Sequence, residues 1–194
     1  MLALFVEGLT APRQSMRRLL GLSLGFDAIV LIILLTYLVG MIFAILLGNS
    51  APDGRSIGYY VFSLTIVVAP IFLFSEMIYS IGKMAGGTGE RVEIYLAVSW
   101  HSLIVTFLSP VMAFVAIEQQ VVQTEQGEML VPQIGANSAL LVLGLGALLL
   151  WLLSSYVTEA HRFRNVWNVL GSLLMGMVGF SIAVAVVAVM LGAG

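Results

Sequence analysis

The chain has 194 residues, 60% of them hydrophobic and only 9% charged, with a formal net charge of -2 and no cysteine. A soluble globular domain carries roughly 25% charged residues, so this composition and a mean hydropathy of +1.08 exclude an ordinary water-soluble fold and point to a chain solvated mainly by lipid. The missing cysteines exclude disulfides and thiolate metal sites.

The first 22 residues, MLALFVEGLTAPRQSMRRLLGL, read as a cytoplasmic amphipathic lead. Their basic residues follow the first apolar patch instead of preceding it, which is the wrong order for a signal peptide. Apolar residues on one side and arginines on the other suit a short helix lying on the membrane surface, or a plain lead-in to the first span. Residues 23–194 then read as one all-α membrane domain of five crossing helices. A crossing helix needs about 20 mostly apolar residues, and the candidates are 24–47, 58–82, 95–117, 138–158 and 168–192. Pro70 and Pro110 fall inside the second and third, where either can kink its helix.

The charges sort the connections. Arg13, Arg17 and Arg18 precede span one, Lys83 and Arg91 lie between spans two and three, and Arg162 and Arg164 lie between spans four and five. Seven of the eight basic residues therefore share one side, while Arg55 and the basic-free stretch EQQVVQTEQGEMLVPQ face the other. Positive residues stay cytoplasmic, so the N-terminus is expected inside and the C-terminus outside, which is the periplasmic side if the membrane is a bacterial inner one. An odd span count without an obvious repeat argues against an inverted-repeat carrier.

Five ionisable residues carry any mechanism the chain has: Asp27, Glu76, His101, Glu159 and His161. Ionisable groups within a span are functional suspects by default. Glu76 and His101 sit at similar expected depth on consecutive helices, which allows them to pair, either as a cytoplasm-facing proton or cation site or as a packing hydrogen bond. Two histidines far apart make a poor metal site, so no metal and no cofactor is expected. AGGTGE at 85–90 lacks the Lys-Ser/Thr ending of a phosphate loop and does not follow a strand. No HExxH or Walker pattern occurs and no catalytic residue is assigned, so the expectation is a protein that is not an enzyme and binds no nucleic acid. Small residues four apart let helices approach closely: Gly40 and Ala44 on span one, and Ser172, Gly176, Gly179 and Ala183 on span five. They serve packing within the chain, or self-association. Arg17, Arg18, Arg91, Arg162 and Arg164 are the expected contacts for lipid headgroups or for a membrane protein partner.

The lead with its apolar patch and Pro12, the five spans, and two stretches in particular, AGGTGERVEIYLAVSWHSLIVTFLSP and EAHRFRNVWNVLGSLLMGMVGFSIAV, resemble the Yip1 domain family in a compact bacterial form. That resemblance implies a non-enzymatic protein of a bacterial inner membrane, acting through interaction with other membrane components. The DLYGP signature of the eukaryotic, GTPase-associated relatives is absent from span one and its lead. Two function classes follow: an interaction, organising or accessory subunit of a membrane assembly, and a small transporter or channel built on Glu76 and His101.

Overall fold

The computed structural model describes residues 2–46, 57–115, 118–124, 127–133 and 136–174. It is a helical bundle with four helices long and apolar enough to cross a membrane. The elements in order are α1 (Leu2–Thr10), α2 (Pro12–Gly21), α3 (Phe26–Leu46), α4 (Ile57–Met84), α5 (Arg91–Val115), β1 (Glu118–Thr124), β2 (Gly127–Gln133) and α6 (Ala136–Ala160). Residues 166–174 are helical again and are labelled α7. The rest of the expected fifth span, with Gly176, Gly179 and Ala183, lies outside the described residues.

The long helices alternate in direction. Glu76 of α4 meets Arg91 and Tyr95 of α5, His101 of α5 meets Tyr156 of α6, and Phe43 of α3 meets Phe107 of α5. Those pairings make α3 and α5 run one way and α4 and α6 the other. The lead, the α4–α5 turn and the α6–α7 turn therefore gather at one end, the Arg-rich end, as the charge pattern predicts.

α5 is the central helix. Ile94, Leu96, Ala97, Val98, Ser99, Trp100, Leu103 and Ile104 are all buried, and a helix buried all round must be flanked on every side; α3, α4 and α6 all pack on it. α3 shows the opposite pattern. It buries a single stripe, Ile29, Ile32, Ile33, Thr36 and Val39, and exposes Leu31, Leu34, Leu38 and Ile42 to what must be lipid. Gly40 joins that stripe, since a Cβ there would lie 3.7 Å from Thr106 of α5. On α6 the buried residues, Leu152 to Thr158, crowd the Arg-rich half, while Leu140, Leu141 and Leu143 are exposed.

Three buried hydroxyls bond within their own helices, which keeps them satisfied in lipid. Thr36 donates to Ile32 O, Ser75 to Ile71 O and Thr158 to Ser154 O. Pro110 has no N–H for the carbonyl of Thr106; the Ser109 hydroxyl donates to that oxygen instead, at 2.7 Å.

Two expectations need correction. The stretch 118–133 is an antiparallel hairpin pairing Glu118 with Gln133 and Thr124 with Gly127, not a bare loop between helices. The lead is two helices, not one on the surface. α2 begins with Pro12, whose fixed φ and missing N–H suit a first turn, and it buries Pro12, Ser15, Met16 and Leu19 along one face, packed on α6. α1 slots inward along α5. Phe5 meets Phe107 edge-on at 5.0 Å, while Gly8 lies against Trp100, Ile104 and Tyr156, so its N-terminal end points away from the Arg-rich end into the bundle. Its apolar side chains explain that course, since burial against α5 removes them from water as surely as lipid does.

Candidate functional site

The ion pairs among the described residues all lie at the Arg-rich end, which is built from the lead, the α4–α5 turn and the α6–α7 turn. The α4–α5 turn passes through Gly86 with φ +85, a left-handed conformation that glycine adopts freely. It closes at Glu90, whose N–H donates to the Glu93 carboxylate at 2.8 Å, the return half of a capping box. The α6–α7 turn passes through Arg162, itself at φ +60. Its guanidinium donates to Thr88 O and to Glu93, while Thr88 N–H donates to His161 O. Asn165 caps α7 by accepting the Trp167 N–H.

His161 is the keystone of this junction. It is buried, with its ring between Tyr79 and Phe163 and Nε2 3.3 Å from Ile78 O. Gly82, Gly87 and Gly89 wall it in. A Cβ at Gly87 would come within 2.6 Å of Nδ1, one at Gly82 would overlap the imidazole, and one at Gly89 would strike the Ala160 carbonyl. Burial pushes the imidazole below its usual pKa, and Lys83 adds to that, while the Ile78 carbonyl and Glu93 oppose it.

The carboxylates are held by arginines. Glu159 accepts from both Arg13 and Arg17, Glu7 from Arg18, and Glu93 from Arg162. Glu76 accepts the Tyr95 hydroxyl at 2.7 Å and Arg91 Nε at 3.2 Å. Arg91 and Lys83 also lie over the Tyr79 ring, 5.2 and 5.5 Å from its centroid. Asp27 is exposed in the first turn of α3, where a negative charge complements the helix dipole.

The expected Glu76–His101 pair does not form. Tyr95 and His101 lie six residues apart, ~9 Å along the axis and on different faces of α5. The Tyr95 face turns to Glu76, and the His101 face turns to Tyr156, whose ring it meets edge-on at 6.2 Å. α4 is also longer than a crossing requires. At 28 residues it spans roughly 42 Å against a hydrocarbon layer of about 30 Å, and Glu76 stands two turns before its end. Arg17, Arg18, Arg91 and Arg162 of the expected partner surface are all engaged within the chain. Among the described residues Arg164 has no ion pair. Ser172, an expected packing residue, donates to Asn168 O at 2.9 Å.

Tyr79, Tyr95 and Tyr156 are the participants that sequence reasoning passed over. Tyr156 donates to Gly8 O at 2.8 Å and so fixes α1. The density of glycine in GKMAGGTGE is the signal that something bulky must be accommodated there, and the bulky group is His161. A cleft of about 160 Å³ opens beside this junction, between the end of α4 and α7. Among the described residues no three His, Asp or Glu side chains converge as a metal site would require.

The chain matches no protein-family model, and no curated protein or solved structure is significantly similar to it. The fold and site define a multi-pass membrane protein, a helical bundle with a hairpin and an ion-paired end.

Proposed function

We propose that this protein is a non-enzymatic subunit of a membrane assembly, an interaction or organising component of the Yip1 type, seated in a bacterial inner membrane with its Arg-rich end in the cytoplasm and five spans in all. The observation that supports this reading is the use to which the charges are put. Glu7, Glu76, Glu93 and Glu159 each engage an arginine at one end of the bundle, so the ionisable groups build a preformed platform on the lipid-facing helices. Such exposed pairs contribute only about 0–1 kcal/mol each; their larger effect is to fix the shape of a polar surface. Affinity purification from native membranes in a mild detergent, with mass-spectrometric identification of co-purifying proteins, tests it. The expected result is a stoichiometric partner retained by the wild type and lost from an R17A/R18A variant, in which Arg13 still holds Glu159. Wild type that purifies alone from gently solubilised membranes sinks the accessory-subunit reading.

A small transporter or channel is the second reading. Its support is that Ser99 Oγ and His101 Nδ1 on α5 are buried without a hydrogen-bond partner among the described residues, a state that is rare and asks for an explanation. Reconstituted flux abolished by His101→Ala would favour it.

A further inference from the structure

The cleft between α4 and α7 is placed where a membrane lipid would enter. Its walls are apolar: Ile78, Ile81 and Ala85 from α4, Phe163 from the turn, and Val169 and Leu173 from α7. About 160 Å³ is ample for part of an acyl chain, given that a dry apolar cavity of about 150 Å³ accepts a benzene-sized guest. The polar lining belongs to Asn168 and Ser172, one turn apart on α7. The Ser172 hydroxyl is turned back to its own helix, so Asn168 remains as the polar group for a ligand.

Charge and depth identify the occupant. Of the arginines in the described residues, Arg13, Arg17, Arg18, Arg91 and Arg162 have carboxylate partners. Arg164 has none there and is exposed, and it follows directly on the lining residue Phe163. Trp167, 71% exposed, directly precedes the lining residue Asn168, and tryptophan settles at headgroup level. The cleft lies beyond Glu76, along and just past the last two turns of α4, the part of the helix nearest the headgroups. A cation without a carboxylate partner among the described residues and an interfacial indole, both next in sequence to residues lining an apolar slot, match a phosphodiester headgroup with an attached chain.

We infer that the α4–α7 cleft is a binding site for one anionic phospholipid, with an acyl chain between Ile81 and Val169 and the headgroup phosphate at Arg164. The assignment is independent of the partner reading, which concerns the α2 face. It is tested by native mass spectrometry on the delipidated full-length protein, titrated separately with phosphatidylglycerol and phosphatidylcholine. Wild type is expected to bind one phosphatidylglycerol with about fivefold preference over phosphatidylcholine, the effect of one interfacial arginine. Arg164→Gln loses the preference and keeps the binding. Filling the slot with Ala85→Phe, or with Ser172→Leu from the opposite wall should the first not fold, loses binding of both lipids. Leu141→Phe on the exposed face of α6 changes neither. Lipid capture unaltered by a filled slot, or a preference unaltered in Arg164→Gln, overturns the inference. So does a protein that is displaced by the filled slot while no lipid binds to wild type.

Discussion

His161 is held by geometry more than by bonds. Three glycines allow the α4 end and the α4–α5 turn to close on its ring, and among the described residues the only hydrogen bond to the imidazole is the long one to Ile78 O. Gly82→Ala therefore puts a methyl group into a buried ring with nowhere to move, and overpacking of this kind costs about 1–3 kcal/mol. The thermal midpoint in detergent is expected to fall accordingly. In a His161→Ala background the same substitution should be nearly neutral, because the clash is gone; additive losses in that double-mutant cycle would refute the cage. Burial also gives the residue a pH signature. A folded-state pKa below the unfolded value means that the neutral ring is favoured by folding. The associated stability is complete above about pH 6.5, the unfolded value, and is lost as pH falls from there through the lowered folded pKa. Wild type should thus melt lower at pH 5.5 than at pH 7.5, with a smaller difference in His161→Gln. Equal slopes would assign the acid sensitivity to the carboxylates.

Elements differ in how much of them can be read from residues alone. α3 to α6 are legible because about 20 apolar residues in a row have few alternatives, and Pro12 marks the start of α2 for a local reason. The inward course of α1 is not legible. LALFV is equally satisfied by lipid at the surface and by a groove on α5, and the choice rests on Gly8 matching Trp100 and Tyr156, the second of them 148 positions away. The Glu76–His101 expectation fails for a related reason. Hydropathy marks which residues cross but neither how far α4 overshoots nor which face of α5 turns to it. The hairpin 118–133 carries its pairing in a polar stretch that hydropathy treats as loop. For the lead, Glu159 is the fastening point, receiving Arg13 and Arg17 with a carboxylate only 11% exposed. Glu159→Gln leaves two arginines without their acceptor, a loss of about 1–2 kcal/mol, between the exposed and the buried cases. The α2 helix should then be cut by trypsin at Arg13, Arg17 or Arg18 several-fold faster than in wild type, at unchanged cleavage elsewhere. A tryptic pattern identical to wild type would show that apolar packing of Met16 and Leu19 on α6 suffices without the ion pairs.

Across the whole molecule the packing is uneven, and the unevenness tracks the charges. Buried residues of α5 and α6 cluster toward the end where the lead, the α4–α5 turn and the α6–α7 turn lock together, while the opposite half of α3 and α6 presents leucine to its surroundings. Among the described residues the packing is therefore densest at the Arg-rich end. That end holds all the basic residues of the described chain. If that end is cytoplasmic, as the positive-inside rule requires, the orientation can be read with single-cysteine reporters, since the chain has no cysteine of its own. Gln14→Cys, Thr88→Cys and Asn165→Cys should resist a membrane-impermeant maleimide in intact spheroplasts and react after lysis. Gln123→Cys, in the hairpin, should react before lysis. Gly194→Cys decides the number of crossings. With five spans it labels together with Gln123→Cys. Labelling together with Thr88→Cys would leave four crossings, with α7 returning to the side on which it starts.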